Sequence, residues 1–242
     1  MNPSAKNKSA TPRSLEFSDP DLSATTTCVR SRSSTSASQK ECLSIRGTEI
    51  CIYPACPAAE ISNYTFDGQF GTHAQYKSLY TRKESLEKNA TQPNANVTLA
   101  LEGNNIIGFG VLNHPDEGER WLEMGAGLMM EIKAIEVCRR FRSSGIASSI
   151  LSGLMKSSPI EEQIVYMVGY SWTWDLDGTG KSALDYRNML IRLFEPFGFQ
   201  ELQTNEPNIC LKPENVFMAR MGQSVSIEAQ KQFKWLRFGV TP

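Results

Sequence analysis

The chain has 242 residues, 21% of them charged, with 25 Lys and Arg against 26 Asp and Glu and a formal net charge of −1. That balance lacks the basic excess of a nucleic-acid binder, and no apolar run approaches the roughly 20 residues that cross a bilayer, so neither nucleic acid nor membrane is expected as a partner. The length suits one domain of moderate size with an appendage.

The first 46 residues are rich in Ser, Thr and Lys and poor in aliphatics, as in "SATTTCVRSRSSTSASQK". Such a segment buries too little apolar surface to offset its ordering entropy. Residues 1–46 therefore read as a disordered tail and 47–242 as the folded domain. The opening "MNPSAKNKSATPRS" has no apolar core, so a secretory signal is not expected and the chain reads as cytoplasmic. Six cysteines are present (Cys28, Cys42, Cys51, Cys56, Cys138 and Cys210), none in a C-x-x-C pair. In a reducing compartment they read as thiols, not as a disulfide framework.

Order is expected to begin at "TEICIYP", where Ile50, Ile52 and Tyr53 suggest a short strand stopped by Pro54. Residues 58–90 read as weakly helical. Two β-rich runs, 97–101 and 106–112, flank Gly-Asn-Asn and predict a hairpin. "MMEIKAIEV" predicts a strand over 129–137. Ile146, Ile150 and Leu154 then recur at helical spacing, giving a helix over 145–155. "EQIVYMVGY" is a further strand. "SALDYRNMLIRLFEPFGF" follows as an amphipathic helix with a capping-box start at Ser182 and Asp185 and a stop at Gly198. Short strands over 199–202 and 216–221 and a helix over 226–237 complete a mixed-sheet α/β or α+β domain.

The strand "KAIEV" runs into "CRRFRSSGIASSI", a loop with Arg139, Arg140 and Arg142 followed by a helix. A helix N-terminus offers unpaired N–H groups and partial positive charge, which suits a pyrophosphate. Arg142-Ser143-Ser144-Gly145-Ile146-Ala147 resembles the R/Q-x-x-G-x-G/A loop of the GNAT superfamily of N-acetyltransferases. More narrowly, "ERW", "AIEV", "YSWTWDLDGTG", "DYR", "NEPNI", "MARMG" and "QFKWLRF" occur in the order found in the acetoin-utilisation acetyltransferases, over residues 48–238.

The resemblance implies a GNAT-like, splayed mixed sheet flanked by helices, with acetyl-CoA as cosubstrate and no metal. It implies acetyl transfer to a lysine of a protein acceptor such as acetyl-CoA synthetase, which that modification switches off. Cofactor binding is expected at Val137, Cys138, Arg142, Ser143, Ser144, Gly145, Ile146 and Ala147. The strands over 129–137 and 163–170 should splay to admit the pantetheine arm. Trp172, Trp174 and Asp175 would then stand beside the acceptor channel, the tryptophans as apolar walls and Asp175 attracting the cation or holding the loop.

A general base is sought on the strand before the loop, where Glu136 in "AIEV" is the better match and Glu131 the other candidate. Residues five apart on a regular strand face opposite sides, so only one should line the cleft unless a bulge intervenes. The tyrosine that GNAT enzymes commonly carry four residues before Gly-Phe is Phe194 here, leaving Tyr186, Tyr170 or water as proton donor. Both histidines, His73 and His114, read as surface or structural residues. Two other readings keep the fold: a small-amine acetyltransferase, and an acyl-CoA-binding regulator with little turnover. No G-x-S-x-G elbow or G-x-x-x-x-G-K-[ST] loop is present, which disfavours a hydrolase and a P-loop nucleotidase.

Overall fold

The computed structural model describes residues 40–72, 80–156 and 159–240, all within one compact unit, Ala37–Pro242. The expected disorder of the tail, apart from its last residues, and the role of His73 lie outside the described residues. Within them the chain forms a nine-stranded mixed sheet. Its strands are β1 (Glu41–Ile45), β2 (Thr48–Tyr53), β3 (Thr65–Phe66), β4 (Asn96–Glu102), β5 (Asn105–Asn113), β6 (Met129–Val137), β7 (Ile164–Gly169), β8 (Gln200–Glu201) and β9 (Val216–Met221). They are ordered β1-β2-β4-β5-β6-β7-β9-β8, and β3 pairs with β5 off that path.

Strand β1 lies inside the stretch read as tail. It pairs antiparallel with β2 around a turn at Arg46 and Gly47, both with positive φ, so the ordered domain starts before residue 47. The hairpin places Cys42 directly opposite Cys51, and the two form a disulfide, contrary to the reduced state expected for them. A cross-strand register brings together cysteines that no C-x-x-C spacing would reveal.

Two helices cover one face. Helix α4 (Ile146–Met155) sits on β5, where Gly108 and Gly110 leave it room: a Cβ on Gly110 would stand 2.6 Å from Ile150 Cγ2. Helix α6 (Ala183–Phe194) starts with the capping box read from sequence, since Ser182 Oγ accepts from the Asp185 N–H at 3.1 Å. Beyond it, Gly198 at φ +83° closes a short 3₁₀ turn. Short helices α1 (Ala58–Ile61) and α2 (Gln69–Thr72) and helix α3 (Lys83–Ala90) occupy 58–90. Asn113 on β5 donates to Asn89 on α3 at 2.7 Å, which puts α3 on the face opposite α4. Two further short helices are α5 (Leu176–Thr179) and α7 (Pro207–Cys210). Helix α8 (Ile227–Leu236) packs with Trp121 and Phe217 in a second apolar cluster beneath β7 and β9.

The feature that creates the site is a divergence. Strands β6 and β7 pair in parallel only at Met129–Ile164, Met130–Val165 and Glu131–Tyr166. Beyond that point β6 continues along β5 and β7 along β9, so the sheet opens into a gap. This is the splayed mixed sheet expected from the resemblance.

Candidate active site

At the mouth of the gap, β6 ends at Val137 and the chain turns through a short 3₁₀ segment, Arg139–Phe141, into α4. Ser143 and Gly145 take left-handed conformations, φ +59° and +82°. Gly145 is the N-cap of α4 and no side chain caps the first turn. Exposed Ser143 and Gly145 and half-buried Ser144 thus form a main-chain cradle at a ten-residue helix, anchored below by buried Ile146. Left-handed residues beside a helix start turn N–H groups toward one side, the geometry that receives phosphate.

The arginines of this loop are divided. Arg140 reaches away to Asp67 and Glu102, 2.6 Å from each. Arg139 and Arg142 both meet Asp175, on the loop that leaves β7. Arg139 Nε and Nη2 donate to the two Asp175 oxygens at 2.7 and 2.6 Å, and Arg142 Nη1 adds a third bond at 2.7 Å. Burial alone would raise the Asp175 carboxyl, but these bonds outweigh it and hold the group down to about 2. Trp174 beside it is buried and stacks on Tyr186 of α6, ring centroids 5.0 Å apart. Burial raises the Tyr186 phenol, opposed by Arg142 and reinforced by the charges of Asp175 and Glu136.

At the apex, where β6 and β7 meet, the pattern changes. A β-bulge falls between Ile132 and Ala134, opposite Leu112 and Val111, leaving Lys133 without a ladder partner. That extra residue reverses the parity of the strand. Glu131 opposite Asn113 and Glu136 opposite Phe109 therefore share one face, the one away from α4.

Lys133 Nζ lies 2.7 Å from Glu131 and 2.9 Å from Asp116, its side chain only 4% exposed. Tyr166 donates to Glu119 at 2.6 Å, and the carboxylates of Asp116, Glu119 and Glu131 lie within 4.8 Å of one another. Burial raises the Glu131 carboxyl above its ordinary value, with Lys133 pulling the other way. Burial also raises Tyr170, and the Glu206, Glu119 and Glu131 charges add to that shift, so it keeps its proton at neutral pH.

No family model matches the chain. The acetoin utilization protein AcuA of Bacillus licheniformis is 30% identical over 199 residues, which cover 82% of this chain and 93% of that protein. The chain belongs to the AcuA family. This is the family of acetoin-utilisation acetyltransferases that the seven sequence motifs resemble, and the chain is an acetyltransferase of that class. AcuA of Bacillus subtilis is 34% identical over 155 residues, 64% of this chain and 74% of that protein. The crystal structure of an acetoin utilization protein from Exiguobacterium sibiricum superposes with a TM-score of 0.76 at 28% identity, covering 83% of this chain and 93% of that one.

The AcuA-type motifs fall on distinct parts of the gap. Arg142 to Ala147 form the cradle as a unit. Val137 and Cys138 are buried and engaged internally: Val137 O accepts from Arg142 Nε and the Cys138 N–H donates to Ile107 O. Burial also pushes the Cys138 thiol up to about 12. The two tryptophans separate, Trp174 into the core and Trp172, 54% exposed, stacked on Tyr170 with Lys212 over its outer face.

Phe194, where GNAT enzymes commonly carry tyrosine, is a core residue edge-on to Phe199 at 5.1 Å. The His114 ring bonds Pro93 O at 2.8 Å. Among the described residues no helix is long and apolar enough to cross a membrane. Sequence reading missed the Arg139–Asp175–Arg142 cluster and Lys133. The only signals were three arginines concentrated in one loop and a lysine amid apolar strand residues.

Proposed function

We propose that this AcuA-family chain moves the acetyl group of acetyl-CoA to the side-chain amine of a lysine in a protein acceptor of the acetyl-CoA synthetase type, in the cytoplasm. The observation that carries the proposal is the gap itself, with a cationic cradle at its mouth and a half-buried carboxylate at its apex. The diphosphate of acetyl-CoA fits the cradle of Ser143, Ser144 and Gly145 with Arg139 and Arg142 beside it. The pantetheine arm is an extended chain. Laid between the strands from that cradle, it carries the thioester several residues back along β6, past Glu136 and toward Glu131.

That reach favours Glu131 as the general base over Glu136, which stands beside the cradle. The acceptor ammonium gives a proton to Glu131. The neutral nitrogen attacks the thioester carbonyl, the C–N bond forms and the C–S bond breaks, the thiolate takes a proton from Tyr170, and the second proton of the acceptor nitrogen passes to the Tyr170 phenolate, leaving the amide and free CoA. A base raised by burial is better matched to neutral pH than an ordinary carboxylate. A second assignment, Glu136 as base with Tyr186 as acid, draws support from the Glu136 charge, which helps raise the Tyr186 phenol. The test incubates the full chain with acetyl-CoA and purified acetyl-CoA synthetase and maps acetyl-lysine by mass spectrometry. A new acetyl-lysine dependent on both components supports the reading. Turnover confined to small amines, or binding without transfer, overturns it.

A further inference from the structure

We infer that Asp175 is the positioning residue of the cofactor cradle. By holding Arg139 and Arg142 it ties the end of β6 to the loop that leaves β7 and sets the mouth through which the acetyl-CoA arm enters. The inference rests on the proposed reading of this loop as the diphosphate site. Beyond Glu131 and Tyr166 no ladder bond joins the two strands among the described residues, so main-chain pairing does not fix their separation there. The Asp175 cluster spans that opening. Its carboxylate receives three guanidinium bonds at 2.6–2.7 Å and the Gly178 N–H at 3.1 Å, which also makes Asp175 the N-cap of α5.

Two glycines shape the rest of the D-L-D-G-T-G sequence. A Cβ at Gly178 would overlap both the Asp175 carboxylate and the Arg139 guanidinium, so the ion pair keeps this geometry only beside a glycine. Gly180, at φ +62°, ends α5 in a left-handed turn. Thr179 Oγ1 donates back to Asp175 O at 3.2 Å and Leu176 packs on the core, so the loop holding the carboxylate is itself fastened.

Asp175 is 4% exposed and saturated by four donors, which suits a fixed peg. It does not suit a carboxylate that steps aside when an incoming phosphate competes for the same arginines. Two guanidinium groups against one carboxylate leave this cluster net positive. The peg therefore aims the arginines without cancelling them.

The experiment uses the full chain with Asp175→Asn and, separately, Gly178→Ala, which keeps every charged group but displaces the Arg139–Asp175 pair. Acetyl-CoA Kd is measured by calorimetry. The kcat/KM for acetyl-CoA is compared with that for S-acetylpantetheine, which keeps the arm and thioester but lacks the diphosphate. Both variants should weaken acetyl-CoA binding about tenfold or more. The loss in kcat/KM should be about tenfold larger for acetyl-CoA than for S-acetylpantetheine. Equal losses on both thioesters would reduce the cluster to general structural support, and tighter acetyl-CoA binding would make Asp175 a competitor; either result overturns the inference. If Asp175→Asn does not fold by circular dichroism, Gly178→Ala decides alone. A wild-type chain that binds no acetyl-CoA sinks the proposed function, and the clamp with it. A wild type that binds while both variants bind equally well sinks the clamp alone.

Discussion

The two ends of the β6–β7 gap carry opposite charges arranged in mirror fashion. At the mouth one buried carboxylate, Asp175, is held by two guanidinium groups; at the apex one buried ammonium, Lys133, is held by two carboxylates, Glu131 and Asp116. Each cluster keeps an excess of the sign opposite to what the proposed reaction brings to it, a diphosphate at one end and an ammonium at the other. Their mechanics differ as well. The mouth cluster joins segments 33 and 36 residues apart across an unpaired opening, whereas Lys133 and Glu131 are two residues apart on one strand. Binding geometry is thus set by a long-range tie, and the environment of the chemistry by a local bulge.

The sharpest way to break this division is at the apex carboxylate. Glu131→Gln should lower turnover of a lysine-bearing acceptor about a hundredfold or more, the usual contribution of a general base. Glu136→Gln should cost much less. The reverse ranking, in steady-state kinetics, would move the chemistry to the mouth. Next come the two tryptophans. Trp174→Ala removes a buried ring stacked on Tyr186 and should cost about 3–5 kcal/mol in stability, read by denaturant unfolding. Trp172→Ala, on an exposed ring, should barely move the unfolding midpoint and should act on acceptor KM instead. Equal destabilisation by both would show that the outer ring is also a packing element.

The smallest effect concerns pH. Lys133 lowers the Glu131 carboxyl against the raising effect of burial and of Glu119 and Asp116. Replacing it with Met removes the lowering contribution and leaves Asp116, Glu119, Tyr80, Tyr166 and Tyr170 around the carboxyl. Glu131 then titrates at higher pH, and the acid limb of kcat/KM, which follows loss of the ionised base, should move up in pH. A limb that stays in place would separate Lys133 from the base.

What the sequence made legible follows burial and repetition. Strands β6 and β9 were read with the bounds that the structure gives, because their residues alternate or run apolar between clear stops. The capped start of α6 was legible because a capping box is local. Strand β1 was not: four of its five residues are exposed, so no buried face marks it in the sequence, and it is tied in by pairing and a disulfide to β2. The bulge at Lys133 leaves no mark in "MMEIKAIEV", and it alone decides that Glu131 and Glu136 share a face. The AcuA-type loop could be named from its motif, yet the partner of Asp175 could not, since no periodicity relates residue 175 to 139 or 142.

The division between a binding mouth and a reacting apex is tested most directly by titrating acetyl-CoA calorimetrically into the wild type, Gly145→Glu and Glu131→Gln, with Gly145→Ala as control for strain at φ +82°. Gly145→Glu sets a carboxylate in the cradle and should weaken binding well beyond the alanine control. Glu131→Gln should bind acetyl-CoA with near wild-type affinity despite its lost turnover. Unchanged affinity in folded Gly145→Glu, or a loss in Glu131→Gln as large as in Gly145→Glu, would contradict the account.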